Sequence, residues 1–333
     1  MADLVVAITD NAFAPIDPER RLFDEIGVEL RFDPAALSED QVLDLARDAD
    51  AILCDAATIS RRVLEALPRL KVVSEYGIGY DNIDAAAATE LGVWVTNVPG
   101  FCREEVSDHA IACIMALSRR LLALDRIVRA GRWGAGAAGP MRRLSTQTLG
   151  LIGFGRIGQA TARKALGLGM RVLAHSPHTT ADRAARHGAE AATLERLLGE
   201  SDYVVLQAPA TSATTGLINR QTLALMKPGA CLVNVARGAL VDERALVEAL
   251  QAGRIAGAAI DVFDPEPPAA DNPLLALENV LLTPHAAFYS EESLGDLQES
   301  AARNAIAVLR GRMPATPVNP EVAPRARSGR LAP

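Results

Sequence analysis

The sequence predicts an α/β protein built from two doubly wound parallel sheets, the second inserted into the first. Three features predict it. Short β-branched runs alternate with helical stretches in two successive series, as strands covered on both faces do. A glycine-rich turn joins the first strand of the second series to a helix. The last long helix has no strand near it in sequence, so the economical reading returns it to the first sheet. At 333 residues the chain is long enough for two cores of ordinary size.

In order, the first series comprises strands at Leu4–Thr9, Val28–Phe32, Ala51–Cys54, Lys71–Ser74 and Val93–Thr96. Helical stretches lie between them, among them Pro18–Ile26 and Asp40–Arg47. The second of these follows Ser38, with Gln41 three residues on, the spacing of a capping box. A long helical stretch from Glu104 to Ala130 breaks the alternation. Six further strands follow at Leu149–Gly153, Arg171–Ala174, Tyr203–Gln207, Cys231–Val235, Ala258–Val262 and Val280–Thr283, then a helix at Glu291–Arg310. The expected domains are 1–100 with 286–320, then 101–285 inserted between them, and a poorly ordered tail from Pro314, with 321–333 outside either domain. Ligands of such sheets bind beyond the carboxyl ends of the strands, which puts the chemistry in the cleft between the domains.

Composition excludes several classes of function. Hydrophobic residues make up 49% and charged ones 23%, which is globular and not disordered. The formal charge of 34 − 41 = −7 argues against a nucleic-acid surface and against an anionic-membrane anchor. Ala110–Leu117 is the longest apolar run, far short of the roughly 20 residues a membrane helix needs. Leu4–Ile8 reads as a strand and not as the core of a signal peptide. Cys54, Cys102, Cys113 and Cys231 are scattered and unpaired in spacing, as buried thiols of a reducing cytoplasm are. No His/Cys cluster has metal-ligand spacing, so no metal is expected.

The first chemical motif is Gly153-Phe-Gly155-Arg156-Ile157-Gly158, between a strand and a helix. In a dinucleotide site these glycines allow a tight turn, close approach of the pyrophosphate, and close helix–sheet packing. The helix N-terminus adds free N–H groups and a partial positive charge. An acid about 20 residues on, which would hold the ribose hydroxyls of NAD, is missing; Ser176 stands in its place. Ser176, His178 and Thr179 offer donors to a 2′-phosphate instead, with Arg183 in reach if a helix starts near Ala181. The cofactor is therefore read as NAD(P)H, leaning to NADPH.

The order of motifs resembles the D-isomer-specific 2-hydroxyacid dehydrogenases, a family that includes phosphoglycerate dehydrogenases and the C-terminal-binding-protein corepressors. The likeness runs from about residue 4 to 318. It rests on Tyr76-Gly-Ile-Gly-Tyr-Asp-Asn-Ile-Asp84, the glycine loop, Asn234-Val-Ala-Arg237-Gly238, Asp261-Val-Phe-Asp-Pro-Glu266-Pro267 and Thr283-Pro-His285-Ala286. It implies a flavodoxin-like substrate domain, an inserted Rossmann cofactor domain, and exchange of hydride between a nicotinamide and a small 2-keto or 2-hydroxy acid. By the same resemblance Arg237 binds the substrate carboxylate and carbonyl, His285 is the acid/base, and Glu266 partners it. Tyr76, Gly77, Ile78 and Gly79 form the loop that holds the carboxylate. Pro209, Thr214, Val235, Ala236 and Asp261 contact the cofactor, Asp261 at the nicotinamide end.

The chemistry asks for these residue types on its own account. A hydroxyl proton needs a base that titrates near neutrality, and a carboxylate beside a histidine favours its charged form. A guanidinium clamps a carboxylate through two parallel bonds. Singly, His285 reads as a loop histidine, Arg237 as a surface ion-pair partner, and Glu266 as a solvated acid. Each stands at the end of a predicted strand near the same cleft, and together they favour catalysis. His109, on the long helix, is read as structural.

Departures from the family narrow the substrate. Cys54 and Glu75 stand where phosphoglycerate dehydrogenases carry arginines, which disfavours a phosphorylated substrate. Glu266 stands where the related formate dehydrogenases carry glutamine. Pro177 occupies the place of the arginine clamp of NADP-preferring relatives. The alternative to an enzyme is a corepressor-like protein that senses dinucleotide. A homodimer is expected from the apolar stretch after Glu104 and from Trp133 with the glycine-rich Gly134–Gly139, which resembles the family's dimer arm.

Overall fold

The computed structural model describes residues 4–11, 13 and 15–329. Two compact units divide the chain, one running through Phe101 and resuming at Ser290, the other spanning Cys102–Tyr289. The first begins β1 (Val5–Ile8), α1 (Asp17–Asp24), β2 (Glu29–Phe32), α2 (Glu39–Leu45) and β3 (Ala51–Cys54). It continues through α3 (Arg61–Ala66), β4 (Val72–Glu75), α4 (Ala85–Glu90) and β5 (Trp94–Thr96). All pairings are parallel, in the order β2-β1-β3-β4-β5, the flavodoxin-like arrangement.

Period-two alternation sorts the side chains of this sheet. Val5 and Ala7 pack with Val42 and Val63 on one face, whereas Val6 and Ile8 pack with Phe23, Leu297 and Ile306 on the other. Ser38 and Gln41 form the capping box at the start of α2.

The second unit contains α5 (Arg103–Ser118), α6 (Leu121–Arg129), β6 (Thr148–Ile152), α7 (Arg156–Gly167), β7 (Arg171–His175), α8 (Ala181–Ala185) and β8 (Glu190–Ala191). It goes on to α9 (Leu194–Glu200), β9 (Tyr203–Leu206), α10 (Arg220–Leu225), β10 (Cys231–Asn234), α11 (Glu243–Gln251), β11 (Gly257–Ile260) and β12 (Val280–Leu282). The order β12-β11-β10-β9-β6-β7-β8 is Rossmann topology with one added strand at the β12 edge. This sheet has seven strands, not the six expected. The one not expected, β8, is two residues long, too short to carry a hydrophobic period.

Two other expectations are corrected. The stretch from Glu104 is not one helix: Arg120, at φ 50°, ends α5, and its guanidinium donates to the Ala138 carbonyl 2.8 Å away. Without a Gly or Pro there, the break leaves no mark in the sequence. Residues after Pro314 are not a loose tail. Following α12 (Glu291–Leu309), Pro317 bridges Thr96 antiparallel, and Asn319 accepts from the Val95 N–H through its side chain at 2.8 Å. Val322 is wholly buried, and Arg327 N–H donates to Gly92 O at 2.7 Å. Gly92, at φ +76°, lets this segment lie close: a Cβ there would stand 2.3 Å from Arg325 O. Among the described residues no helix is long and apolar enough to cross a membrane.

Candidate active site

Every chemical motif of the second unit lies at the carboxyl end of a strand. After β6, the glycines of the loop have different reasons to be there. A Cβ on Gly153 would stand 2.3 Å from Gln207 O, and one on Gly158 would stand 2.3 Å from Gly153 O. Those two are required by the packing of the unit itself. A Cβ on Gly155 would meet nothing within 4 Å. Open space, at the N-terminus of a helix whose cap has no side-chain acceptor, fits the pyrophosphate of a dinucleotide. Arg156 is exposed at that terminus and Ile157 is half-buried.

At the end of β7, Ser176 Oγ and Thr179 Oγ1 are 2.6 Å apart, and His178 is exposed. α8 starts at Ala181, and Arg183 reaches back to donate to Phe154 O at 3.3 Å. A guanidinium therefore sits against the glycine loop. Beyond β9, Thr214 Oγ1 donates to Pro209 O at 2.7 Å and accepts from the Thr211 N–H at 2.8 Å. Its hydroxyl shapes the loop that presents Pro209.

The turn after β10 is built by Asn234, which is 1% exposed. Its side chain donates to Arg237 O at 2.9 Å and accepts from the Ala236 N–H at 3.1 Å. Val235 is buried, Ala236 half-buried, and Arg237 half-exposed with its Nη1 donating to Ala236 O at 2.8 Å. Gly238 lets this turn press on the next loop, since a Cβ would fall 2.1 Å from the Phe263 carbonyl. That loop carries Glu266, whose Oε1 accepts from the Phe263 N–H at 2.8 Å.

His285 follows β12 in a left-handed conformation, φ 51°. Its Nδ1 lies 2.7 Å from Glu266 Oε2, and its ring meets that of Phe288 in a T-shaped pair. The Glu266 hydrogen bond raises the His285 pKa above the ordinary histidine value, against the lowering effect of burial. Burial alone would raise the Glu266 pKa, but the bonds from His285 and the Phe263 N–H hold it below the usual carboxylate range. The field of Arg237 reaches both members of the pair, lowering each pKa.

Asp261, at the end of β11, is 2% exposed. One carboxylate oxygen accepts from Thr283 Oγ1 at 2.5 Å and from the Ala286 N–H at 2.9 Å; the other accepts from the Ala287 N–H at 3.0 Å. Its carbonyl accepts from the His285 N–H at 2.7 Å. It thus holds the turn that carries His285.

In the first unit the 77–79 loop follows β4. Its carbonyls are tied down, Gly77 O by the Val98 N–H at 2.7 Å and Ile78 O by Asn97 Nδ2 at 2.7 Å. Among the described residues, no acceptor pairs with the amides of Gly77, Ile78 and Gly79. Tyr76 is corrected: its side chain is 2% exposed, and its hydroxyl donates to the buried Glu19 at 2.7 Å, so it serves the core and not a substrate. Glu75 is buried beneath the loop, and burial pushes its pKa well above the carboxylate range. Asn234, Asn97 and Thr283 were missed as site residues. The first and last stand inside quoted motifs, but what they hold is visible only in three dimensions.

Residues 111–287 match the family model for the NAD binding domain of D-isomer specific 2-hydroxyacid dehydrogenases. A glyoxylate reductase from Korarchaeum cryptofilum is 43% identical over 313 residues, 92% of this chain and 94% of that protein. This chain belongs to the D-isomer specific 2-hydroxyacid dehydrogenase family. Among solved structures of the family's fold, the TT0316 protein from Thermus thermophilus superposes with a TM-score of 0.85 at 37% identity, covering 95% of this chain and 100% of that one. A glyoxylate reductase from Paecilomyes thermophila gives a TM-score of 0.86 at 28% identity, covering 96% and 99%. As a family member the chain is an NAD(P)-dependent oxidoreductase of 2-hydroxy and 2-keto acids. The corepressor alternative is not favoured.

Proposed function

We propose that the chain reduces a small, unphosphorylated 2-keto acid of the glyoxylate class to the D-2-hydroxy acid, with NADPH accepted at least as well as NADH. The hydrogen bond of 2.7 Å between His285 and Glu266 carries this reading. The raised pKa favours the protonated imidazole, whose Nε2 can deliver a proton to the carbonyl oxygen. Bound on the glycine loop, the nicotinamide would supply the hydride. Arg237 pairs with the substrate carboxylate and draws electron density from the carbonyl. The free amides of 77–79 are suited to a carboxylate, and Glu75 beneath them offers no cation that would favour a phosphate.

Arg183 supports the cofactor preference: with Ser176 in place of an acid, its guanidinium stands at the glycine loop within the region a 2′-phosphate would occupy. We propose a cytoplasmic enzyme, in keeping with four free, buried cysteines. It acts as a homodimer. α6 buries none of its own residues, and Leu121 (53%), Val128 (52%) and Trp133 (89%) stand exposed along one short stretch of chain.

A steady-state panel of 2-keto acids with each cofactor tests the reading. Glyoxylate and other short unphosphorylated acids should be reduced, and His285→Ala should lose turnover by about a thousandfold while binding dinucleotide normally. Near-normal turnover in that variant, or a hundredfold preference for NADH, would count against it.

A further inference from the structure

We propose that His109 is a positioning residue for the reaction: through Thr283 it fixes Asp261, and so the left-handed turn from which His285 works. The inference rests on the reading of His285 as the acid/base. His109 lies on α5, distant in sequence from every motif, yet its Nε2 is 3.1 Å from Thr283 Oγ1 and 3.7 Å from Asp261 Oδ1.

The direction of each bond follows from its partner. The Asp261 side chain is 1% exposed, and both its oxygens act as acceptors, each taking a backbone N–H. Thr283 Oγ1, at 2.5 Å, gives its single proton to that carboxylate. The Thr283 oxygen can then only accept from His109, which assigns the imidazole proton to Nε2. An unbroken series of donors therefore runs from α5 to Asp261, which in turn holds the N–H groups of His285, Ala286 and Ala287.

The turn has need of such support. A non-glycine residue at φ 51° is strained and persists only where its surroundings over-determine it. An imidazole displaced by a fraction of an ångström loses its line to the carbonyl oxygen, whereas the dinucleotide loop after β6 is untouched. The effect of His109 therefore falls on turnover and leaves cofactor affinity alone.

Three substitutions in the full-length protein test the proposal. H109L fills the space without a donor and should lower kcat about tenfold, with NADPH affinity and the pH midpoint of reduction unchanged, because Glu266 still pairs with His285. H109Q carries a nitrogen at similar reach and should restore kcat to within about threefold of the parent. T283V cuts the same link, and H109L added to it should cost nothing more. Should H109L fold poorly, H109N, whose amide is too short to reach Thr283, takes its place. Turnover within twofold of the parent in H109L, or additive losses in the double variant, would overturn the proposal while leaving His285→Ala inactive. An active His285→Ala would instead overturn the reading beneath it.

Discussion

Two carboxylates meet the His285 turn, and they are used in opposite ways. Asp261 has a side chain 1% exposed, and its oxygens are spent on the backbone and on Thr283. Glu266 is 36% exposed in its side chain, and meets the imidazole itself. One sets where the ring stands, the other how tightly it holds its proton. The same functional group is an anchor where it is dry and surrounded by N–H donors, and a tuning charge where it is partly wet and faces a titratable ring. Resemblance assigns Asp261 a contact with the nicotinamide end of the cofactor; its hydrogen bonds within the protein are to the turn.

Substitutions can break this distinction. The largest effect should come from Asp261→Ala, which strands two backbone N–H groups at about 1–3 kcal/mol each. Thermal denaturation should show a clear fall in Tm, with turnover down about a hundredfold. Retention of both would mean that the turn stands without its anchor.

Glu266→Gln should leave Tm nearly unchanged and act on the pH profile. With its partner neutral, the folded His285 pKa falls, so reductive activity is lost at a lower pH as pH rises. In the oxidative direction, where the neutral imidazole is needed, activity should appear at a lower pH for the same reason. A profile that does not move in either direction would refute the pairing. Least effect on the pair is expected from Gly155→Ala. Nothing lies within 4 Å of the added methyl, so Tm and pH midpoint should hold while KM for NADPH rises about tenfold. A fall in Tm would show that the loop needs this glycine for its own packing, as it needs Gly153.

What the sequence made legible follows from distance along the chain. The glycine loop and the strands on either side of it are local, so spacing alone revealed them. Arg237, Glu266 and His285 could be named because each sits in a short motif at a strand end. The supporting residues act across long separations: His109 meets Thr283 at 174 positions' remove, and Asn97 reaches back to Ile78. No local pattern marks such contacts. Tyr76 misled for the related reason that a motif residue next to a binding loop looks like part of it, whereas the alternation along β4 turns its ring into the core. Nor does the sequence show β8, whose two residues pair only because α8 delivers them to the edge.

The closing segment of the first unit has a consequence for the order in which the protein is made. The sheet β1–β5 is synthesised first, but one of its faces is covered by α12 and its β5 edge by residues around Pro317 and Asn319. These leave the ribosome only after all of Cys102–Tyr289. The dinucleotide unit is contiguous and can complete its core as soon as β12 emerges. The earlier sheet must wait for roughly 200 residues of translation before Leu297, Ala301 and Ile306 of α12 complete the face that holds Leu53, Val72 and Trp94. During that interval the nascent chain presents an apolar sheet face and an unpaired edge, the two features that chaperones and misassembly compete for.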